Sequence, residues 1–201
     1  MLDHVLLEAI AALHRSFDGA LLERQAAEER LEVDVLLGDV TWETSYSLPG
    51  EGEPPRLRAD LVLEWSTWSQ SAYRSWSAGD PPEDPPEMDI ELVLRIQRLA
   101  DAPPAREILQ VLPESGPALG AVLLERCGPT LEQALSMGDE PSEWALEVAY
   151  EGVWTLEEAI LQRTVPPDEE LGPVGPWVAS NLVRLADLVL PFLPRQERDG
   201  G

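Results

Sequence analysis

The sequence predicts an α+β fold, an antiparallel sheet of about four or more strands with N-terminal and C-terminal amphipathic helices packed on it. Three observations lead there. Apolar residues recur at three-and-four spacing near the N-terminus, alternate one by one along several central segments, and return to three-and-four spacing near the C-terminus. With 201 residues, 44% hydrophobic and 26% charged, the chain is long enough for one generous core. A single domain over 1–194 is expected, followed by a frayed tail over 195–201.

The first helix is predicted within 2–29, where Leu2, Val5, Leu6, Ala9, Ile10, Leu13, Phe17 and Leu21 share one face. Gly19 after Asp18 is where it can split, because glycine weakens a helix interior and Asp18 can cap a new start. The period then becomes two. Leu31, Val33, Val35 and Leu37 alternate, and after Gly38 the apolar set shifts to Val40, Trp42, Tyr46 and Leu48. That phase change predicts a bulge at Leu37-Gly38 in one strand. The glycine- and proline-rich stretch 49–55 turns it into a second strand with Leu57, Ala59, Leu61, Leu63 and Trp65 inward, so 31–66 reads as a long hairpin.

Residues 65–76 carry two signals, tryptophans at helical spacing and a run of serines suited to a strand end; an irregular strand is the expectation. The prolines of 79–87 exclude helix and ladder strand and predict an exposed acidic loop. The cleanest strand follows, with Met88, Ile90, Leu92, Leu94 and Ile96 inward and Asp89, Glu91, Arg95 and Gln97 outward, so one sheet face is wet. Residues 106–137 show short apolar runs and a short helix over Thr130 to Met137. Another strand carries Trp144, Leu146, Val148, Tyr150, Trp154 and Leu156 on one face, with Gly152 marking a bulge or a close contact. A last helix, entered near Pro173 and ended by Pro191, aligns Trp177, Val178, Leu182, Leu185, Ala186 and Val189.

Fourteen basic residues, all arginine, against 38 acidic ones give a net charge of −24. With no lysine, a P-loop or Schiff-base lysine is impossible. Such a surface repels phosphate backbones and anionic lipid, so neither direct nucleic-acid binding nor membrane association is expected, and it steers a basic protein partner. A basic leader and a long apolar run are not seen, and with one cysteine the expected location is cytoplasmic.

Catalytic residue types are scarce. His4 and His14 lie ten residues apart on the first helix, roughly 80° apart around its axis, poorly placed to act together. Cys127 follows Arg126, which could lower its thiol pKa, but a nucleophile would also need a base at hand. Neither a catalytic nor a metal or cofactor site is assigned. Asp80, Glu83, Asp84 and Glu87 lack the spacing of a calcium loop. Of seven tryptophans, Trp42, Trp65, Trp144, Trp154 and Trp177 fall on predicted core faces. Trp68, Tyr73, Arg74 and Trp76 do not, and aromatics with arginine suit a partner surface, to which the acidic loop would add its carboxylates.

Four antiparallel strands followed by a helix, in an acidic chain, resemble in topology the SecB-like export chaperones, from which the long first helix departs. The expected function is a non-enzymatic, acidic protein-binding module: a chaperone, adaptor or inhibitor of a basic partner. The alternative is a carboxylate-dependent hydrolase, which would need Asp and Glu to converge with raised pKa values.

Overall fold

Helix α1 (His4–Gly19) opens the chain in the computed structural model, which describes residues 3–80, 82–134 and 142–194. Strand β1 (Glu23–Arg24), a 3-10 turn (Ala26–Glu28) and β2 (Arg30–Val33) lead to the long strands β3 (Val40–Ser47) and β4 (Leu57–Trp65). Helix α2 (Thr67–Ser77) connects β4 to β5 (Glu87–Leu99). Then come α3 (Ala105–Val111) and the shorter strands β6 (Ser115–Leu119), β7 (Val122–Arg126) and β8 (Thr130–Ala134). The long β9 (Glu143–Thr155) precedes α4 (Glu158–Leu161), α5 (Pro167–Leu171) and α6 (Val174–Ala186).

These nine strands form one antiparallel sheet in the order β1-β3-β4-β5-β9-β7-β6, with β2 also on β3 and β8 also on β9. The predicted α+β class and the helices docked from both ends of the chain are what the fold shows. The alternation in β4, and in β5 as far as Ile96, sends Leu61, Leu63, Met88, Leu92 and their neighbours into the core and leaves the other face mainly to charged residues. Beyond Ile96 the register shifts, and Gln97, expected outward, is buried with its amide donating to the Pro55 carbonyl. On the core face Phe17 stacks on Tyr46 with ring centroids 4.1 Å apart, and Trp177 meets Tyr150 edge-on at 4.8 Å. Ser16 joins the terminal helices: its hydroxyl donates to the Gly172 carbonyl and accepts from the Gly175 N–H, both at 2.8 Å.

Four expectations are corrected. The first helix stops at Gly19; Leu21 takes a left-handed φ of 58° and faces solvent, and the chain leaves as β1 instead of resuming a helix. The strand with a bulge at Leu37-Gly38 is two strands, β2 and β3, paired around a tight turn. The Asp34 carboxylate accepts from the N–H groups of Leu36 and Leu37, and Gly38 supplies a φ of 81°, so the phase change marks a chain reversal.

Residues 65–76 are β4 ending in helix α2, because the Ser66 hydroxyl accepts from the Ser69 N–H at 3.2 Å and caps it. The serines read as a strand end are a cap. The short helix expected over Thr130 to Met137 is strand β8 as far as Ala134, held along β9 from Thr130↔Glu147 to Ala134↔Glu143; Met137 lies outside the described residues, as do Met1, Leu2 and the tail 195–201. Gly152 is a close contact, since a Cβ there would stand 2.7 Å from the Leu124 side chain.

Candidate functional site

The outer face of the sheet is divided by charge. At one end Arg58 stands opposite Arg95, and both are neutralised: Arg58 by Glu28 at 2.8 Å and Asp60 at 3.0 Å, Arg95 by Glu132 at 2.9 Å and by Glu147. Toward the other end the register places Glu64 opposite Asp89, Glu91 opposite Glu151, and Glu151 opposite Glu125. Side chains in such rungs are close neighbours, and like charges there destabilise a sheet. Among the described residues none of these five carboxylates forms an ion pair with an arginine.

They line an open groove of about 700 Å³ with Val62, Val122, Leu123 and Val153 as its apolar patches. Of Glu91, Glu151 and Glu125, Glu91 is the half-buried member. Burial first, then the charges of Glu151, Glu147 and Glu43, hold its carboxyl above the ordinary value of 4.5. Cys127 lines the same groove, and the neighbouring guanidinium is engaged elsewhere: Arg126 donates to the carbonyls of Leu109, Leu112 and Pro113 at the end of α3. Burial, a hydrogen bond with Glu151 and the surrounding carboxylates push the thiol up, so it stays protonated at neutral pH.

The residues singled out in the sequence lie on α2 and in the loop that follows it, as far as the first residue of β5. Trp68 is half exposed on α2, while Tyr73 and Trp76 are partly buried against the core and stack on each other at 6.4 Å. Arg74 is held by Asp3 at 3.1 Å. Trp76 and Glu83 share a second cleft of about 540 Å³ with Pro85, Pro86 and Leu161, and Glu87 instead reaches the outer groove. Asp80, Glu83 and Asp84 are exposed in the loop. Among the described residues no group of three or more His, Cys, Asp or Glu could hold a metal ion. His4 pairs with Glu8 at 3.1 Å, and His14 bridges Glu29 and the Tyr46 hydroxyl, each at 2.9 Å. Of the core tryptophans Trp42, Trp65 and Trp154 are buried, with Trp144 and Trp177 packed at the margin.

Sequence alternation placed Glu91 outward, but it did not find the row. Glu125 and Glu151 join Glu91 only through the pairing of β7 with β9 and of β9 with β5, and long-range pairing has no local signature.

A pH dependence follows. Glu91 and Asp60, both held above their ordinary values chiefly by burial, favour the folded state when protonated; their contribution grows as pH falls through the folded pKa. Asp168, lowered by its hydrogen bond from Arg15, and Asp34, lowered by backbone N–H donors, contribute in the opposite sense and lose their effect only below the ordinary aspartate value of 3.8. Acidification also discharges a net −24. The melting temperature is therefore expected to rise from pH 7 to about pH 5 and to fall only at stronger acid. Calorimetry across that range checks it, and a steady fall from pH 7 would contradict it.

The fold and the groove define an α+β protein with helices on one sheet face and a largely anionic opposite face. Compared with protein-family models, curated proteins and solved structures, the chain matches none. The topological likeness to the SecB-like chaperones is thus not carried by any match. Among the described residues no helix is long and apolar enough to cross a membrane.

Proposed function

We propose that the chain is a non-enzymatic protein-binding module, a chaperone, adaptor or inhibitor, whose outer sheet face receives a basic segment of another protein. The observation that supports it is the row Glu91, Glu151 and Glu125, in register across three adjacent strands and without an arginine partner among the described residues. A sheet that sets like charges side by side gives up stability, and an incoming row of arginines or lysines recovers it. The competing carboxylate-dependent hydrolase draws on Glu91, held high beside Glu151, but one displaced carboxyl does not make the acid and base pair such chemistry uses.

The test is a triple variant, Glu91→Gln, Glu125→Gln and Glu151→Gln, against a control with the same change in charge, Glu107→Gln, Glu114→Gln and Glu157→Gln. With a labelled nona-arginine peptide at about 0.1 M salt, where the Debye length is about 10 Å, the first is expected to bind about tenfold more weakly and the control to stay within about twofold. The first should also be more stable than the parent by about 0.5 kcal/mol, since like charges across a rung have been removed. Equal loss in both variants would reduce the row to a share of the overall field.

A further inference from the structure

The turn between β2 and β3 exposes large aliphatic side chains in a way that folding does not require. Val35 is 97% exposed, Leu36 92% and Leu37 69%, and they continue Leu31 and Val33 of β2, at 44% and 56%. The turn is firmly built. Asp34 holds its interior amides, the Asp39 carboxylate accepts from the Thr67 N–H at 2.6 Å, the Thr67 hydroxyl donates to the Leu37 carbonyl, and the Gln70 amide donates to the Gly38 carbonyl at 2.9 Å. The aliphatic tip is thereby bolted to α2. Contiguous exposed apolar surface of this kind marks an interaction site.

Beside the tip runs an open backbone edge. The Asp34 N–H donates to the Asp39 carbonyl at 2.8 Å, one step past the pair Val33↔Val40. Hydrogen-bonded and non-bonded pairs alternate in an antiparallel ladder, so Glu32 and Arg30 aim their backbone groups at β3 while Leu31 and Val33 aim theirs away. Beyond β2 no further strand pairs with it among the described residues. Leu31 and Val33 lie opposite Trp42 and Val40 on the core side, and Glu32 lies on the outer side. A cleft of about 370 Å³, walled by Val33, Val40 and Trp65, opens beside them.

We infer that β2 and the following turn dock an extended segment of a basic partner, added as a strand antiparallel or parallel to β2, with apolar residues on the side of Leu31 and Val33 and lysine or arginine on the side of Glu32. It rests on the partner being basic, as proposed above. Charge selects this occupant: Glu32, Asp34 and Asp39 flank the apolar tip, and the arginines beside it are already paired, Arg30 with Glu43 at 3.7 Å and Arg74, which lines the cleft, with Asp3 at 3.1 Å. A second copy would bring another −24, and an anionic lipid surface would be repelled in the same way. Strand addition supplies affinity through the main chain and specificity through alternate side chains.

The probe is a fluorescein-labelled octapeptide of alternating lysine and valine, titrated with the full chain and followed by anisotropy. Val33→Pro deletes an outward N–H at an edge position that tolerates proline, and Leu36→Ser removes an apolar side chain that is almost fully exposed. Each is expected to weaken binding about tenfold with little change in melting temperature, and an alternating glutamate and valine peptide is expected not to bind. Wild-type binding by both variants, with loss in the Glu91, Glu125 and Glu151 triple variant, would overturn this inference and leave the outer-face proposal standing. Loss in the two variants alone would support the inference and overturn the outer-face proposal. Equal binding of the glutamate peptide, or a dimer in sedimentation that Leu36→Ser dissolves, would overturn the choice of a basic occupant.

Discussion

Gly175→Ala is expected to lower the melting temperature by about 10 °C, the result of about 3 kcal/mol of overpacking in a chain of this size. A Cβ at this position would stand 2.2 Å from the Ser16 carbonyl oxygen and 2.8 Å from the Phe17 nitrogen. Both are backbone atoms of α1, so no rotamer change relieves the clash. The two helices would have to separate, and that would also stretch the bond from the Gly175 N–H to the Ser16 hydroxyl. Gly19→Ala is the matched control, because nothing lies within 4 Å of a Cβ there, and it should change stability by less than about 0.5 kcal/mol. Thermal melts of both variants decide the point. Equal melting would mean that α1 and α6 do not cross at Ser16 and Gly175.

That crossing shows how much of the fold was legible. The stripe Val5, Leu6, Ala9, Leu13 and Phe17 identified the buried face of α1, and Val178, Leu182 and Leu185 that of α6, because burial against one surface imposes helical spacing. Ala186 and Val189, read into the second stripe, are exposed, since α6 ends at Ala186. Nothing in either stripe says that the two helices touch. Gly175 could be read from sequence only as a breaker, whereas its role is to admit the backbone of another helix.

The same division runs through the sheet. β4, β5 and β9 were legible because one buried and one wet face force alternation. β8 was not, since it is exposed throughout and obeys no burial pattern, and the alternation of Leu31 and Val33 marked β2 as strand but not its exposure or the chain reversal that ends it. Helix α2 was misjudged because serines favour caps and strand ends alike, and only the bond from Ser69 to Ser66 separates the two. For the candidate site, composition showed that acids are abundant, and abundance alone locates nothing. Position came from register, which turned Glu91, Glu151 and Glu125 from separate outward residues into a row.

Trp154→Ala tests that register from the opposite face of the sheet. Trp154 is 1% exposed, pairs with the fully buried Met88 across β5 and β9, and its indole N–H donates to Glu170 at 2.6 Å. Removing a buried indole leaves a cavity that costs about 3–5 kcal/mol, or a fall in melting temperature of about 12 °C. Trp154→Phe should cost less, because it keeps most of the volume and the partly exposed Glu170 can rehydrate. Below its melting point Trp154→Ala should still bind nona-arginine within about twofold of the parent, since the ladder between β5 and β9 sets the carboxylates and the indole does not touch them. Inward and outward residues alternate with a period of two along β9, so Trp154 facing the core and Glu151 facing solvent are one statement about the strand. If Trp154→Ala melted within a degree or two of the parent, β9 would be out of register by one residue. Glu151 would then point into the core, and the anionic row across the outer face would not exist.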